Sequence, residues 1–134
     1  MKKASTITAK FLRYKASFSN TKLWKDCDDS IQKSMLQVVK FDTKEEPVLA
    51  FYKSDLYWWL LTNCKIIISL EQKIEQVYFS DIDSVEFDDI IQGRITKEAC
   101  RSLQIITRPW HYVLEVEERS WTIVYTILTF VIAK

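Results

Sequence analysis

Glycine and proline are nearly absent from this chain of 134 residues, which contains one glycine and two prolines. This composition excludes glycine-rich loops that hold phosphates and the long flexible linkers that separate domains. Cysteine is also sparse, and Cys27, Cys64 and Cys100 lie far apart. An odd number of widely spaced cysteines predicts free thiols in a reducing compartment rather than a disulfide framework. We therefore expect a single cytoplasmic domain.

Residues that usually carry catalysis or hold metals are few. His111 is the only histidine, and nothing in the sequence places a cysteine beside it, as a Cys–His nucleophile requires. Zinc ligands normally occur in closely spaced pairs, which this chain lacks. Acids gather at Asp81, Asp83, Glu86, Asp88 and Asp89, but without an EF-hand pattern they are best interpreted as a solvated face. The sequence predicts no enzyme, no cofactor and no metal site.

Long hydrophobic runs are missing as well. The longest apolar stretch, Trp121–Ala133, contains three threonines and is too short to cross a bilayer. At the other end of the chain, Lys10, Arg13 and Lys15 interrupt any apolar leader segment.

Positive charge is concentrated at the N terminus. Residues 1–25 hold seven Lys or Arg and no acid, whereas the rest of the chain has 12 bases against 18 acids. We treat residues 1–27 as a basic N-terminal arm and residues 28–134 as the folded domain. Opposite charges favour an arm that lies against its own domain or against an acidic partner.

The arm also has the pattern of an amphipathic helix. Ile7, Phe11, Tyr14 and Phe18 recur at helical spacing. Such a helix packs on its own domain, or it binds an anionic membrane surface through Lys10, Arg13 and Lys15 while Phe11 and Phe18 insert. The sequence favours packing on the domain.

Residues 28–41 predict a helix that Asp28 or Asp29 caps, with Ile31, Met35, Val38 and Val39 as its apolar stripe. Runs of β-branched and aromatic residues then predict antiparallel strands at Val48–Lys53, Tyr57–Thr62, Ile66–Leu70, Lys73–Phe79, Ile82–Phe87, Leu103–Thr107 and His111–Glu117, with a further short strand at Ile90–Ile95. Within them Ile66, Ile68 and Leu70 share a face, as do Tyr112, Leu114 and Val116. Helical spacing predicts a closing helix over Glu118–Lys134.

This order of elements resembles a known family. The segments Glu46–Tyr52, Trp59–Ser69 and Tyr78–Val85 look like the progression found in bacterial pleckstrin-homology-like domains and the related GRAM domains. The resemblance covers residues 28–133. It implies an α+β fold, an antiparallel β-barrel of about seven strands that the C-terminal helix plugs. The N-terminal arm is an addition to that pattern.

The lipid-binding motif of that family is not matched. The loop that would hold a phosphoinositide headgroup is Lys53-Ser54-Asp55, which has one base and one acid and therefore too little positive charge for several phosphates. Nucleic acid is not expected as a partner either, because the chain outside residues 1–25 carries more acids than bases and would repel phosphates.

The sequence therefore predicts a non-catalytic interaction module that binds another protein or assembles with itself, and it identifies no small-molecule substrate. Its contact surfaces would be an open barrel edge that accepts a strand and the groove beside the C-terminal helix. Candidate contact residues are Lys10, Arg13, Lys15, Trp58, Trp110 and Trp121. Two alternatives stay open, a peripheral module on anionic membranes that uses the arm, and a small immunity or inhibitor protein that uses the acids at Asp81–Asp89.

Overall fold

The fold consists of two antiparallel sheets and three helices, in a computed structural model that describes residues 2–71, 73–87, 100–108 and 110–133. One sheet has five strands in chain order, namely β1 (Thr21–Leu23), β2 (Pro47–Ser54), β3 (Tyr57–Thr62), β4 (Lys65–Leu70) and β5 (Lys73–Tyr78). The other has three, namely β6 (Ile82–Glu86), β7 (Ser102–Thr107) and β8 (His111–Glu115). The predicted α+β fold of antiparallel strands is confirmed.

Two details of that prediction need correction. Over the described residues the two sheets are separate hydrogen-bonded ladders, so they do not close into a barrel. Short β1, which comes from the arm, adds a strand beside β2. The proposed strand at 90–95 lies outside the described residues.

The helices are α1 (Ala4–Leu12), α2 (Asp29–Leu36) and α3 (Trp121–Ile132). Helix α3 confirms the predicted closing helix, and its buried side chains include Trp121, Val124 and Leu128. Helix α2 is shorter than predicted because it ends at Leu36, which leaves Val38 51% exposed. Asp28 stands at its N-cap position but its side chain accepts no capping hydrogen bond.

Strands β2–β4 of the five-stranded sheet are covered on both faces, whereas β5 is largely exposed. The inner face of the sheet packs with the three-stranded sheet, α1 and α3 in the main core, which includes Trp59, Ile66 and Ile68. Its outer face packs beneath α2 in a second cluster, formed by Met35, Val39, Ala50, Trp58, Leu60 and Ile67. Side chains alternate along β4 as predicted, since Ile66 and Ile68 lie in the main core and Ile67 in the second cluster. Burial does not alternate, because both faces are covered there, and Leu70 at the end of the strand is 41% exposed.

The N-terminal arm lies on its own domain, as the sequence favoured. Ile7 and Phe11 are buried in the main core, but Tyr14 falls after the end of α1 and is 38% exposed. The Glu117 carboxylate then fixes the following segment, because it accepts hydrogen bonds from the Ser19 and Asn20 amides at 3.0 and 2.9 Å and from Thr21 Oγ1 at 2.8 Å. No helix in the described ranges is long and apolar enough to cross a membrane.

Candidate functional site

The basic residues predicted as contacts are spread along α1 and its end. Lys10 is half-buried, with its Nζ 4.8 Å from the centre of the Phe130 ring on α3. Arg13 and Lys15 are exposed beyond the last turn. Phe11, which a membrane-bound helix would insert, is instead 8% exposed in the core. The apolar face of α1 thus packs against the protein itself.

The three candidate tryptophans have different environments. Trp58 is buried under α2, and Trp121 is buried at the start of α3, where its ring lies 5.1 Å from that of Phe87. Trp110 is 65% exposed. The structure does not bring these six predicted residues together, and Trp110 is the one tryptophan of the three whose ring is largely available to a partner.

The turn between β7 and β8 fixes the position of Trp110. Its carbonyl oxygen accepts hydrogen bonds from the Thr107 amide at 2.8 Å and from Thr107 Oγ1 at 2.9 Å. Thr107 is itself buried, so the backbone at Trp110 is tied to the sheet while its indole extends into solvent. A backbone that is already fixed need not be ordered when a partner covers the side chain, which lowers the entropic cost of binding.

Trp110 stands at one side of a groove of about 380 Å³, which we call the Trp110 groove. The groove runs between β5 and the three-stranded sheet, and its lining residues are Gln76, Val77, Asp81, Asp83, Thr107, Arg108, Trp110 and Tyr112. β5 is the end strand of its sheet, with β4 as its neighbour among the described strands. This is the open edge that the sequence predicted as a contact surface.

The charges of the Trp110 groove are mainly acidic. Arg108 Nε lies 3.2 Å from Asp83 Oδ2 at the surface, where such a pair adds little stability. Asp81 is exposed and makes no ion pair within the described residues. The groove therefore offers an aromatic surface, an unpaired strand edge and a free carboxylate, which suits an extended segment with an apolar and a basic side chain.

A second groove of about 610 Å³ lies beside the end of α3. Its lining residues include Cys64, Tyr78, Phe79, Ile82, Val131 and Ile132. It matches the other contact surface that the sequence predicted. Its aromatic lining is less accessible than Trp110, since Phe79 is buried and Tyr78 is 38% exposed.

The structure reveals a buried ion pair that the sequence reasoning missed. Lys65 Nζ, with its side chain 1% exposed, lies 3.2 Å from Glu45 Oε1 and 3.8 Å from Asp42 Oδ2. Glu45 Oε2 also accepts a 2.6 Å hydrogen bond from Thr62 Oγ1. Burial lowers the pKa of Lys65, but the hydrogen bond and charge of Glu45 outweigh it and hold that pKa above its usual value. The sequence does contain a signal for this ion pair: a lysine begins an otherwise apolar strand, and two glutamates precede Pro47.

The cluster also contains three groups whose atoms could ligate a metal ion. Ligand atoms of Asp42, Glu45 and Cys64 lie within 4.8 Å of one another, but the Lys65 ammonium lies beside both carboxylates and compensates one of their two negative charges. Burial raises the pKa of the Cys64 thiol, as it does for Cys27. Raised pKa values keep both thiols protonated, and a protonated thiol is a poor metal ligand or nucleophile.

The loop between β2 and β3, Lys53-Ser54-Asp55, makes contacts within the domain. Lys53 Nζ lies 3.1 Å from Glu115 Oε2, and Asp55 accepts hydrogen bonds from Ser34 Oγ and from the Tyr52 hydroxyl. Both charged side chains of this loop therefore have partners within the domain.

The fold is similar to a solved structure. It matches the crystal structure of a DUF1696 family protein with a pleckstrin-homology domain from Shewanella loihica PV-4, with a TM-score of 0.50 and 14% sequence identity. The match covers 85% of this chain and 99% of that one. No protein-family profile and no curated protein matches the chain. The fold is therefore pleckstrin-homology-like.

Proposed function

We propose that this protein is a non-catalytic interaction module of the bacterial pleckstrin-homology and GRAM kind, which binds an extended segment of another protein in the Trp110 groove. The observation that carries the proposal is the exposure of Trp110, 65%, beside the unpaired edge of β5. Tryptophan is enriched among the residues that dominate binding energy at protein interfaces. The free thiols of Cys27, Cys64 and Cys100 support a reducing compartment such as the cytoplasm.

Addition of a strand is the binding mode that fits this surface. Backbone groups on the free edge of β5 provide hydrogen bonds to any extended chain, and neighbouring pockets select its side chains. The Trp110 and Tyr112 rings would cover an apolar side chain, while Asp81 would attract a lysine or arginine. The bound segment would then extend the five-stranded sheet by one strand.

The alternatives have weaker support. Membrane insertion through α1 would have to expose Ile7 and Phe11, which are 0% and 8% exposed in the core, and their removal would cost stability. An inhibitor based on the acidic patch would use Asp81–Asp89, but Asp83 faces Arg108, and Asp88 and Asp89 lie outside the described residues.

Selection from a library of random extended peptides tests the proposal. We expect enriched peptides to combine an aromatic or aliphatic residue with a basic one, and Trp110→Ala to weaken their binding about tenfold or more. Val113→Ala is the matched control, since Val113 is 53% exposed on β8 but does not line the groove. Peptides that bind equally well to the wild type and Trp110→Ala would contradict the proposal, as would a failure to enrich any peptide.

A further inference from the structure

We propose that two copies of this chain pair through the free edge of β5, antiparallel and centred on Ile74, to form one continuous sheet. This goes beyond the proposed function because the occupant of the edge is a second copy of the chain, selected by side chains that lie outside the Trp110 groove. Gln76 and Val77 line the Trp110 groove, whereas Lys73, Ile74 and Glu75 do not. Self-pairing and partner binding can therefore fail separately.

The backbone of β5 shows which groups are free to pair. The Phe79 amide donates a hydrogen bond to the carbonyl of Cys64, the residue directly opposite. The same register continues without a bulge along β4 and β5 as far as the pair of Leu70 and Lys73. Bonded and non-bonded residues alternate along an antiparallel pair. Lys73 and Glu75 therefore bond to β4, while the amide and carbonyl of Ile74 point outward at the edge of the sheet.

The side chains at this edge have an unusual charge pattern. Lys73 and Glu75 flank Ile74, share one face of the strand, and carry opposite charges. Neither makes an ion pair or a side-chain hydrogen bond with the part of the chain that the structure describes. Ile74 is 36% exposed on the opposite face. Charged edge strands usually prevent pairing, but opposite charges at alternate positions permit it in a suitable register.

Charge selects one register among those that the backbone allows. In the register centred on Ile74, each Lys73 faces Glu75 of the second copy. This gives two cross-strand ion pairs around an Ile74–Ile74 contact. A centre at Glu75 would place the two Glu75 carboxylates directly opposite one another, which is destabilising. A centre at Gln76 would leave both charges facing the apolar residues Val77 and Phe79.

Charge reversal tests the pairing, with association measured by sedimentation at low salt. We expect Lys73→Glu or Glu75→Lys to raise the dissociation constant of the dimer about tenfold, because each replaces two attractive pairs with two repulsive ones. The double variant K73E/E75K should restore self-association, and the two single variants should form a heterodimer when mixed. Lys73 is exposed and Glu75 is half-buried, and circular dichroism checks that each variant folds.

Cysteine cross-linking tests the register. Oxidation of Ile74→Cys should give a disulfide-linked dimer, since directly opposite residues in a bonded pair lie within disulfide reach. A mixture of Ile74→Cys and Gln76→Cys reports the register centred on Glu75, which places Ile74 opposite Gln76, and Gln76→Cys alone reports the register centred on Gln76. These probes keep both charges, and the wild type, oxidised in parallel, controls for the natural thiols. A monomer at every concentration, a dimer insensitive to charge reversal, or stronger cross-linking in the mixture or in Gln76→Cys alone would overturn the proposal. If the protein is monomeric but still binds the selected peptides, the self-pairing proposal fails and the proposed function of the Trp110 groove is unaffected.

Discussion

The two sheets differ in how completely other elements cover them. In the five-stranded sheet, Trp58 and Trp59 lie on opposite faces of β3 and are 3% and 2% exposed, because α2 covers one face and the main core the other. In the three-stranded sheet, Leu114 is 0% exposed while its neighbour Val113 is 53% exposed. The doubly covered strands β2–β4 are a scaffold. The half-covered sheet, with Trp110 at its turn, keeps side chains available for contact.

The largest expected effect comes from a matched pair of tryptophan variants. Trp58→Ala should lower the free energy of unfolding by about 4 kcal/mol, because it leaves a cavity beneath α2. Trp110→Ala should change it by about 0.5 kcal/mol or less, since the ring is already in solvent. Urea unfolding of both variants measures the difference. Similar losses at the two positions would contradict the division into scaffold and contact surface.

The buried ion pair should be the next most important feature of the scaffold. Lys65→Met should cost about 3 kcal/mol, because it leaves the Glu45 carboxylate buried without its counter-charge. The double variant K65M/E45L should recover much of that loss, since it removes both charges. Thermal unfolding of the wild type and the two variants measures these changes. Equal destabilisation in the single and the double variant would show that packing, and not charge, explains the loss.

The same pair predicts a dependence on pH. The pKa of Lys65 is raised in the folded protein above its ordinary value of 10.5, so its contribution to stability is complete below that value. The contribution is lost as pH rises through the folded pKa. The gap in stability between the wild type and K65M/E45L should therefore be constant near neutral pH and change only above about pH 10.5. A change between pH 6 and 9 would contradict this assignment.

A smaller effect is expected where the arm joins the half-covered sheet. Glu117→Ala should cost about 2 kcal/mol, because it removes three hydrogen bonds to a carboxylate, two of them from the Ser19 and Asn20 amides. Hydrogen exchange of those two amides should become faster than in the wild type. Glu118→Ala is the control, since its pair with Arg101 lies at the surface and contributes little. Unchanged exchange in Glu117→Ala would show that the arm is held by its apolar face alone.

The smallest expected effect is the titration of one tyrosine at the hairpin between β2 and β3. The hydrogen bond to Asp55 raises the pKa of Tyr52 to about 12. Asp55→Asn should bring that pKa down toward 10, the ordinary tyrosine value, which absorbance titration at alkaline pH measures. An unchanged titration would mean that the Asp55 carboxylate does not bond to Tyr52. The loop between β2 and β3 would then have a free carboxylate, as the Trp110 groove does.

Local patterns predicted the elements well but not their mutual coverage. The limits of β3 agree with the sequence because Asn and charged residues bound a run of apolar ones. The length of α2 does not agree with the sequence prediction, because Val38 and Val39 continue the helical spacing beyond the residue at which the helix ends. The burial of three consecutive isoleucines in β4 depends on α2 covering the outer face, a contact between distant segments. The pairing of Lys65 with Glu45 depends on the same kind of contact.

The predicted site residues illustrate the same limit. Trp58, Trp110 and Trp121 are equally plausible contact residues from the sequence alone, because all three are aromatic. Their exposure depends on which element packs above each one. The open strand edge and the groove beside the closing helix were predictable, because both follow from the order of elements. That Trp110 borders the edge of β5 follows from how the two sheets pack.

The most direct test is an amide chemical-shift map recorded by NMR while a selected peptide is titrated into the full chain. We predict that the shifts concentrate at residues 76–78 and 110–112, on the two sides of the Trp110 groove, and that α2 and the centre of β3 hardly change. Shifts concentrated on α1, or at Lys53-Ser54-Asp55, would contradict the assignment of the contact surface.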